Sequence, residues 1–279
     1  QPYLAEERGG SVYKGIFFCD VDGTILPHGD KAVSASFFDL VREVCDRGYL
    51  MCISSGRIIS TLAPLFTEVE DLVIYSACNG CMILHHGREL IPNHTVDGVH
   101  IEEISSKLLA WDAVPLFSAL DGLYIPAHII HNAKSAIYES KAITRFYEDA
   151  EDIPTPVLQV TALCNDNVET VIRESRRAWD QHYHITITGE EMFDICPTDK
   201  GESLRLVTAH YGISRDRTWA FGDNENDIPM LSEAGEGFDY QDKSVIFRLS
   251  VNADGLDLGN MKQMADGTEQ VLGKATVTD

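Results

Sequence analysis

Basic side chains are scarce in this sequence, which has 22 lysine and arginine residues against 44 aspartate and glutamate residues and a formal net charge of -22 at pH 7. A negative field of this size repels the backbone of nucleic acids unless basic residues cluster, and the sequence has no such cluster. We therefore expect no nucleic-acid partner and interpret the acidic surplus as a solubilising surface. An anionic substrate would have to be admitted with the help of a metal ion or of local cations.

Long apolar runs are also missing. No stretch is long and apolar enough to cross a bilayer, and no apolar secretory segment stands at the amino terminus. The seven cysteines are scattered and odd in number, which argues against a disulfide framework. Cys78 and Cys81 form a lone CxxC, but Asn79 and Gly80 between them also fit a turn, so a redox or zinc site is disfavoured. These absences predict a cytoplasmic protein without a membrane partner.

The first third of the chain alternates between short apolar strands and amphipathic helices. The predicted strands are Tyr13–Cys19, Leu50–Ile53 and Leu72–Ala77, and the predicted helices between them are Ala32–Arg47 and Ile58–Phe66. Strands that alternate with helices predict a parallel sheet with helices on both faces. The sequence therefore predicts an α/β fold with a Rossmann-like core.

The pattern changes near residue 85 and returns near residue 190. A hairpin is predicted around His85, and the elements expected after it are extended segments at Pro115–Leu120, Gly122–Ile125 and Val157–Leu163 and helices at Ile101–Leu109, Lys134–Tyr147 and Val168–His182. The alternation then resumes with a helix at Lys200–His210, a strand at Thr218–Phe221 and a short helix at Ile228–Ala234. We expect a core domain in two parts, residues 1–84 and 190–279, and a smaller mixed α/β domain inserted between them at residues 85–189.

Two carboxylates directly follow the first predicted strand, in the sequence DVDGT that begins at Asp20. The carboxyl ends of parallel strands form the edge of a sheet at which ligands bind. Asp20 and Asp22 repel each other unless a cation lies between them, so the pair indicates a hard divalent ion such as Mg²⁺, which can bridge to a phosphate. Taken alone, a turn of this composition is more often a solvated loop.

A second acidic run, GDNEND, follows another short strand almost two hundred residues later and ends at Asp227. Because both runs end predicted strands, they can share one metal ion. Asp20 and Asp223 would bind the ion through their carboxylates, and Asp22 through its backbone carbonyl. Asp227 or Asn226 would bind it directly or support the other ligands.

Two further features supply what phosphate transfer needs. Ser54–Arg57 follows the second strand and is predicted to open a helix, so the Ser55 hydroxyl and free backbone N–H groups would face an anion. Lys200, just before a predicted helix, would place a positive charge on the phosphoryl oxygens and restrain the nucleophile. Taken singly, Ser55 is more often a helix cap and Lys200 a surface lysine.

Together, these four segments resemble the four motifs of the haloacid dehalogenase-like superfamily, in the same order along the chain. The long insertion between the second and third motifs, the turn at Asn79 and the segment Glu190–Gly201 resemble the Cof-type branch, whose mixed α/β cap of the C2B kind covers the site. The sequence departs from that branch after Leu231, where Gly235–Tyr240 replaces a stretch that is usually apolar.

The resemblance implies a Mg²⁺-dependent phosphatase that hydrolyses small phosphate monoesters, either sugar phosphates or phosphorylated cofactors, through an aspartyl phosphate. It makes Asp20 the nucleophile and Asp22 the acid and base. Ser55, Lys200 and Mg²⁺ would hold the phosphoryl oxygens. The residues that the resemblance places at the phosphate or substrate are Gly23, Thr24, Ser55, Gly56, Arg57, Asn79, Lys200 and Asn226. The metal ligands that it implies are Asp20, Asp22, Asp223 and Asp227.

Two alternative functions stay open. A phosphomutase would return the phosphoryl group to a sugar hydroxyl, and a non-catalytic sensor would bind a phosphorylated ligand without turnover. Sensors of this kind usually lack one of the acids, whereas this sequence keeps the full set of proposed roles. The expected partner is a small phosphorylated metabolite, and the oligomeric state is not predicted. Polar cap residues that could contact it, although each also fits an ordinary surface role, are Asp121, Tyr124, His128 and Glu139.

Overall fold

The computed structural model describes residues 13–27, 29–129, 142–164 and 166–239, together with the backbone of residues 263–265 and 268–270. The strands are β1 (Ile16–Cys19), β2 (Leu50–Ser54), β3 (Val73–Ala77), β4 (Met82–His85), β5 (Arg88–Ile91), β6 (Ala113–Ala119), β7 (Gly122–Pro126), β8 (Thr144–Tyr147), β9 (Val157–Cys164), β10 (His184–Gly189), β11 (Met192–Cys196), β12 (Thr218–Gly222), β13 (Glu236–Asp239), β14 (Gln263–Ala265) and β15 (Thr268–Gln270). The α-helices are α1 (Ala35–Asp46), α2 (Ile59–Leu62), α3 (Gly98–Ala110), α4 (Val168–Trp179), α5 (Lys200–Tyr211) and α6 (Ile228–Glu233).

The larger sheet has seven strands in the order β13-β12-β1-β2-β3-β4-β5, of which the first five are parallel. Side chains of β1 alternate between two apolar layers, because successive residues of a strand point to opposite faces. Phe17 packs in the layer that contains α1, and Phe18 packs in the layer that contains α5 and α6. The structure thus confirms the predicted parallel core with helices on both faces.

The smaller sheet has six strands in the order β10-β11-β9-β6-β7-β8, antiparallel except for the parallel pair β7 and β8. Helices α3 and α4 cover one of its faces, where Ile104 and Trp179 pack against Phe117 and Phe193. The chain enters this sheet after β5 and leaves it after β11, so it forms the inserted mixed α/β cap that the sequence predicts. β14 and β15 form a separate antiparallel pair.

The predicted domain limits cut through two hairpins. Both β4 and β5 belong to the seven-stranded sheet, although the limit at residues 84 and 85 separates them. In the same way, β10 and β11 both belong to the six-stranded sheet, although the limit at residues 189 and 190 separates them. We therefore propose that the cap begins after Ile91 and ends at Cys196, because hairpin partners share one sheet.

Two predicted helices differ from the structure. Ile58–Phe66 is only the four-residue helix α2 followed by a 3-10 turn that contains Pro64, and no side chain caps its first turn. The predicted helix Lys134–Tyr147 is wrong at its end, where Thr144–Tyr147 forms β8; its residues 134–141, including Glu139, lie outside the described residues. Among the described helices, none is long and apolar enough to span a membrane.

Candidate active site

The two acidic loops meet at the carboxyl edge of the seven-stranded sheet. β1 pairs in parallel with β12, with Cys19 beside Phe221, so both strands end at the same place. The backbone N–H of Asp20 continues this pairing by donating to the carbonyl of Phe221 at 2.9 Å. The pairing of two strands that are two hundred residues apart therefore brings Asp20 next to the loop that contains Asp223 and Asp227.

Lys200 lies beneath these loops and contacts both of them. Its Nζ donates to Oδ1 of Asp20 and to Oδ1 of Asp227, each at 2.6 Å, and all three side chains are buried. The other carboxylate oxygen of Asp227 accepts the backbone N–H groups of Asp223 and Asn224, each at 3.1 Å. Lys200 is thus a buried partner of the acids, not a surface lysine.

Burial and oppositely charged neighbours shift the pKa values of Lys200 and Asp20 in opposite directions. Burial alone would lower the pKa of Lys200, but the carboxylates of Asp20 and Asp227 outweigh it, so the pKa is raised and the ammonium stays charged. Burial raises the pKa of Asp20, the charge of Lys200 opposes that shift, and the carboxylate of Asp227 adds to it. Asp20 therefore depends on a nearby positive charge to remain ionised.

Three carboxylates of this group fit a divalent cation. Asp20, Asp223 and Asp227 each offer an oxygen, and these oxygens lie within 4.8 Å of one another. Lys200 contacts Asp20 and Asp227 with one ammonium group, and carboxylate oxygens are the ligands that hard divalent ions prefer. The carboxylate of Asp22 does not belong to this set. Binding of the ion by the backbone carbonyl of Asp22 stays a prediction. The structure thus brings together three carboxylates whose positions fit a metal site.

Gly23 and Thr24 support this group from the first acidic loop. Thr24 Oγ1 donates to Oδ1 of Asp223 at 3.2 Å. Gly23 has a φ of +93°, and a Cβ at this position would collide with the carboxylate of Asp223. Only glycine permits this approach of the two loops. Neither residue is part of the cavity wall described below.

Asp22 is held by Arg57 in a bidentate ion pair. Arg57 Nε donates to Oδ2 of Asp22 at 2.7 Å, and its Nη2 donates to Oδ1 at 2.6 Å. Both side chains remain partly exposed, so water screens the pair. The planar guanidinium fixes the orientation of the Asp22 carboxylate at the entrance of the site.

The expected helix opening at Ser55 is absent. α2 begins at Ile59, so Ser55 lies in the loop that follows β2. Its backbone N–H is not free, since it donates to the carbonyl of Ser76 at 2.9 Å. Its Oγ accepts the N–H of Arg57 at 3.2 Å. The prediction of a helix N-terminus here is wrong, because the first turn begins several residues later, after Ile58.

A cavity of about 210 Å³ lies between the two sheets, above the acidic group. The core side of its wall consists of Asp20, Asp22, Ser55, Gly56, Arg57, Asn224 and Asn226. The cap side consists of Gln159, Thr161, Thr188, Met192 and Asp194. A larger groove of about 410 Å³ runs along α4, but none of the predicted site residues lines it. Its size alone therefore does not make it the site.

The side chain of Asn79 forms hydrogen bonds with other protein side chains. It adopts a left-handed conformation with a φ of +54° in the turn after β3. Its Nδ2 donates to Asp194 at 2.8 Å and to Gln159 at 3.1 Å, and its Oδ1 accepts from Asn226 at 2.9 Å. Asn79 does not belong to the cavity wall, and its contact with substrate stays a prediction. The structure shows it as a link between the core and the cap.

The cap residues at the cavity were missed by the sequence interpretation. Asp194 stands within an otherwise apolar strand, and Gln159 and Thr161 alternate with buried apolar residues of β9. This period of two indicates a polar face and could have identified them. Of the cap residues that could contact a substrate but also fit an ordinary surface role, Tyr124 donates to Asp121 at 3.0 Å, and neither lines the cavity. His128 does not line it either.

Residues 17–242 match a family model described as haloacid dehalogenase-like hydrolase. The chain belongs to this family. Similar family members include the 5-amino-6-(5-phospho-D-ribitylamino)uracil phosphatase YitU of Bacillus subtilis, 24% identical over 242 residues that cover 78% of this chain and 83% of YitU. An HMP-PP phosphatase of Escherichia fergusonii is 29% identical over 236 residues that cover 78% of this chain and 81% of that protein.

The fold is also that of solved haloacid dehalogenase structures. A sugar phosphatase of subclass IIB superposes with a TM-score of 0.67 at 19% identity, over 79% of this chain and 85% of its own. This likeness confirms the fold of the predicted Cof-type branch, with its core and its cap. Together with the family match and the phosphatases among the relatives, it identifies the chain as a haloacid dehalogenase-like phosphoric monoester hydrolase.

Proposed function

We propose that the protein is a Mg²⁺-dependent phosphatase that hydrolyses small phosphate monoesters through an aspartyl phosphate on Asp20. The observation that carries this proposal is the buried contact of Lys200 with both Asp20 and Asp227, next to a cavity that core and cap residues line together. A lysine in this place favours the ionised carboxylate and fixes its direction, which is what a nucleophile requires. Burial still raises the pKa of Asp20 to about 8, so a bound divalent ion would be needed to keep the nucleophile ionised at neutral pH.

Asp20 would attack the phosphorus atom in line with the leaving oxygen, and the bond from phosphorus to that oxygen would break as the aspartyl phosphate forms. Asp22, which lines the same cavity, would give its proton to the leaving alkoxide. It would then take a proton from the water that hydrolyses the aspartyl phosphate. The ion pair with Arg57 holds the ionised Asp22 carboxylate in a single orientation, which suits the step in which it takes a proton from water. For the step in which it gives a proton to the alkoxide, Asp22 would have to be protonated first, and the ion pair would have to open.

Three further core residues of the wall would bind the phosphoryl oxygens. Ser55 offers a hydroxyl, Gly56 a backbone without a side chain, and Arg57 a guanidinium. Such positioning and charge stabilisation supply most of the catalysis of phosphoryl transfer. A Mg²⁺ ion held by Asp20, Asp223 and Asp227 would supply the positive charge that lets an anionic substrate approach these carboxylates.

The size of the cavity supports a small substrate. Its volume of about 210 Å³ lies below the range of about 300–1,000 Å³ that is typical of pockets for drug-sized ligands. The relative YitU is named as a phosphatase of 5-amino-6-(5-phospho-D-ribitylamino)uracil, a small phosphate monoester. We therefore propose a small phosphorylated metabolite as the substrate, and we retain the prediction that the protein acts in the cytoplasm.

Phosphate release from a panel of sugar phosphates and phosphorylated cofactors tests the proposal, with Mg²⁺ or with EDTA. The wild type should release phosphate only with Mg²⁺, and Asp20→Asn should release none because an amide does not attack phosphorus. Asp39→Asn is the matched control, since Asp39 lies exposed on α1. Release by Asp20→Asn at the wild-type rate would exclude Asp20 as the nucleophile. Release without a sugar bisphosphate activator would count against the phosphomutase alternative.

A further inference from the structure

Asp194 is a buried carboxylate that the proposed chemistry does not use. Its neighbours in β11, Phe193 and Ile195, pack against the helices of the cap, so Asp194 points from the opposite face of the sheet. That face forms the roof of the cavity, where Asp194 is one of the lining residues although only 3% of its surface is exposed. A carboxylate in this position faces whatever part of the substrate extends beyond the phosphate.

Two hydrogen bonds hold this carboxylate in a defined position. Thr161 Oγ1 donates to its Oδ1 at 2.6 Å, and Asn79 Nδ2 donates to its Oδ2 at 2.8 Å. A Cβ at Gly56 would lie 3.4 Å from the same Oδ2, so the carboxylate stands against the loop that follows β2. A carboxylate accepts about four hydrogen bonds, so acceptor capacity remains for a ligand.

The cavity wall has more negatively charged side chains than positively charged ones. Asp20, Asp22 and Asp194 contribute three carboxylates, and among the described residues of the wall Arg57 is the single basic side chain. Arg57 is already paired with Asp22. The cap side of the wall adds an amide, two hydroxyls and a thioether to Asp194, but no cation. A second negative charge on the substrate would therefore meet Asp194 at a part of the wall that offers no cation, while the ammonium of Lys200 is taken up by Asp20 and Asp227.

We propose that Asp194 selects phosphate monoesters whose leaving group presents a hydroxyl, amino or other neutral or cationic hydrogen-bond donor, and that it rejects leaving groups with a second negative charge. This inference rests on the proposed phosphatase function and narrows its substrate class. Repulsion between like charges and the desolvation of an unpaired anion both act against the wrong substrate. A donor, in contrast, forms a charge-assisted hydrogen bond with the fixed carboxylate.

Three esters that differ in one terminal group test this selection: phosphoethanolamine, 2-hydroxyethyl phosphate and phosphoglycolate. Each is measured as a competitive inhibitor of phosphate release from the best substrate of the panel, so none of them has to be hydrolysed. We expect the wild type to bind phosphoglycolate at least about tenfold more weakly than phosphoethanolamine, a ratio that corresponds to about 1.4 kcal/mol. The hydroxyl ester should lie between them.

Variants of Asp194 separate this role from a purely structural one. Asp194→Asn should reduce the ratio of the two inhibition constants to about one, whereas Asp194→Glu keeps the charge and should retain the preference. Asp112→Asn is the matched control in the cap, because Asp112 is exposed and has a φ of +59°, at which asparagine is well tolerated. Its ratio should equal that of the wild type.

Three results would overturn the inference: equal binding of the three esters by the wild type, an unchanged ratio in Asp194→Asn, or an equal weakening of all three esters in both Asp194 variants. The last result would mean that Asp194 only joins the cap to Asn79. The first comparison needs no variant, so it stands even if a substitution prevents folding. Failure of the wild type to release phosphate from any ester would instead refute the proposed function.

Discussion

Asp194 carries a pKa that differs between the folded and the unfolded chain. Burial raises the pKa of its carboxyl from 3.8 to about 6, although the hydrogen bonds from Thr161 and Asn79 oppose the shift. The folded protein therefore retains a proton at pH values at which the unfolded chain has lost it. The contribution of this group to stability is fully present below the unfolded pKa and is lost as the pH rises through the folded pKa.

Asp194→Asn removes this titration. Between about pH 5 and about pH 7, the free energy of unfolding of the wild type should fall by about 1 kcal/mol relative to that of the variant, because the buried carboxyl ionises in this window. Urea unfolding at several pH values measures the difference. For the exposed control Asp112→Asn, the free energy of unfolding should change with pH as it does in the wild type. A constant difference between wild type and Asp194→Asn would show that the folded pKa is not raised.

At the scale of elements, the start of α5 determines where Lys200 lies. Asp199 is the N-cap residue of this helix, and its side chain accepts the backbone N–H of Glu202 at 2.7 Å. Lys200 is the first helical residue, so the N-cap residue that determines where the helix starts also determines the position of Lys200. N-capping by Asp199 therefore helps to determine the geometry of Lys200 and its carboxylate partners.

Asp199→Ala should therefore affect both stability and turnover. Loss of an N-cap costs about 1 kcal/mol, and fraying of the first turn would let Lys200 move away from Asp20 and Asp227. We expect a lower melting temperature together with a reduced kcat, whereas Asp199→Asn keeps a capping oxygen and should remain near the wild type. Thermal unfolding and phosphate release measure the two effects. A loss of stability without a change in kcat would show that the N-cap residue Asp199 does not position Lys200.

The elements also show which parts of the structure could be predicted from sequence. β1 and β12 are short apolar strands that end in acids, and all strands of a parallel sheet end at one edge, so Asp20 and Asp223 could be predicted at that edge without knowing which strands are neighbours. The contact of Asp194 with Thr161 depends instead on the pairing of β9 with β11, which no local pattern specifies. The loop at Ser55 was misjudged for a related reason: its N–H bonds to Ser76 in the neighbouring strand.

At the scale of the whole molecule, the acidic surplus and the acidic site reinforce each other. The chain carries a net charge of -22, and Asp20, Asp223 and Asp227 add a local concentration of carboxylates, two of which contact Lys200. Repulsion of this kind destabilises the compact state. A divalent ion bound at the site would relieve it locally, and dissolved salt would relieve the general part by screening.

A specific ion can be separated from screening by thermal unfolding. The proposed site predicts that Mg²⁺ raises the melting temperature of the wild type more than KCl does at equal ionic strength, because the folded state alone presents the three carboxylates together. At a free Mg²⁺ concentration of about one hundred times Kd, the added stability would be about 2.7 kcal/mol. Asp223→Asn keeps an oxygen for the hydrogen bond from Thr24 but lacks the charge. The variant should therefore lose the part of the rise in melting temperature that is specific to Mg²⁺, and it should keep the part that KCl also produces. Asp39→Asn should keep both. Equal shifts with Mg²⁺ and KCl in the wild type would mean that the three carboxylates do not bind the ion, whatever role Asp20 has in the reaction.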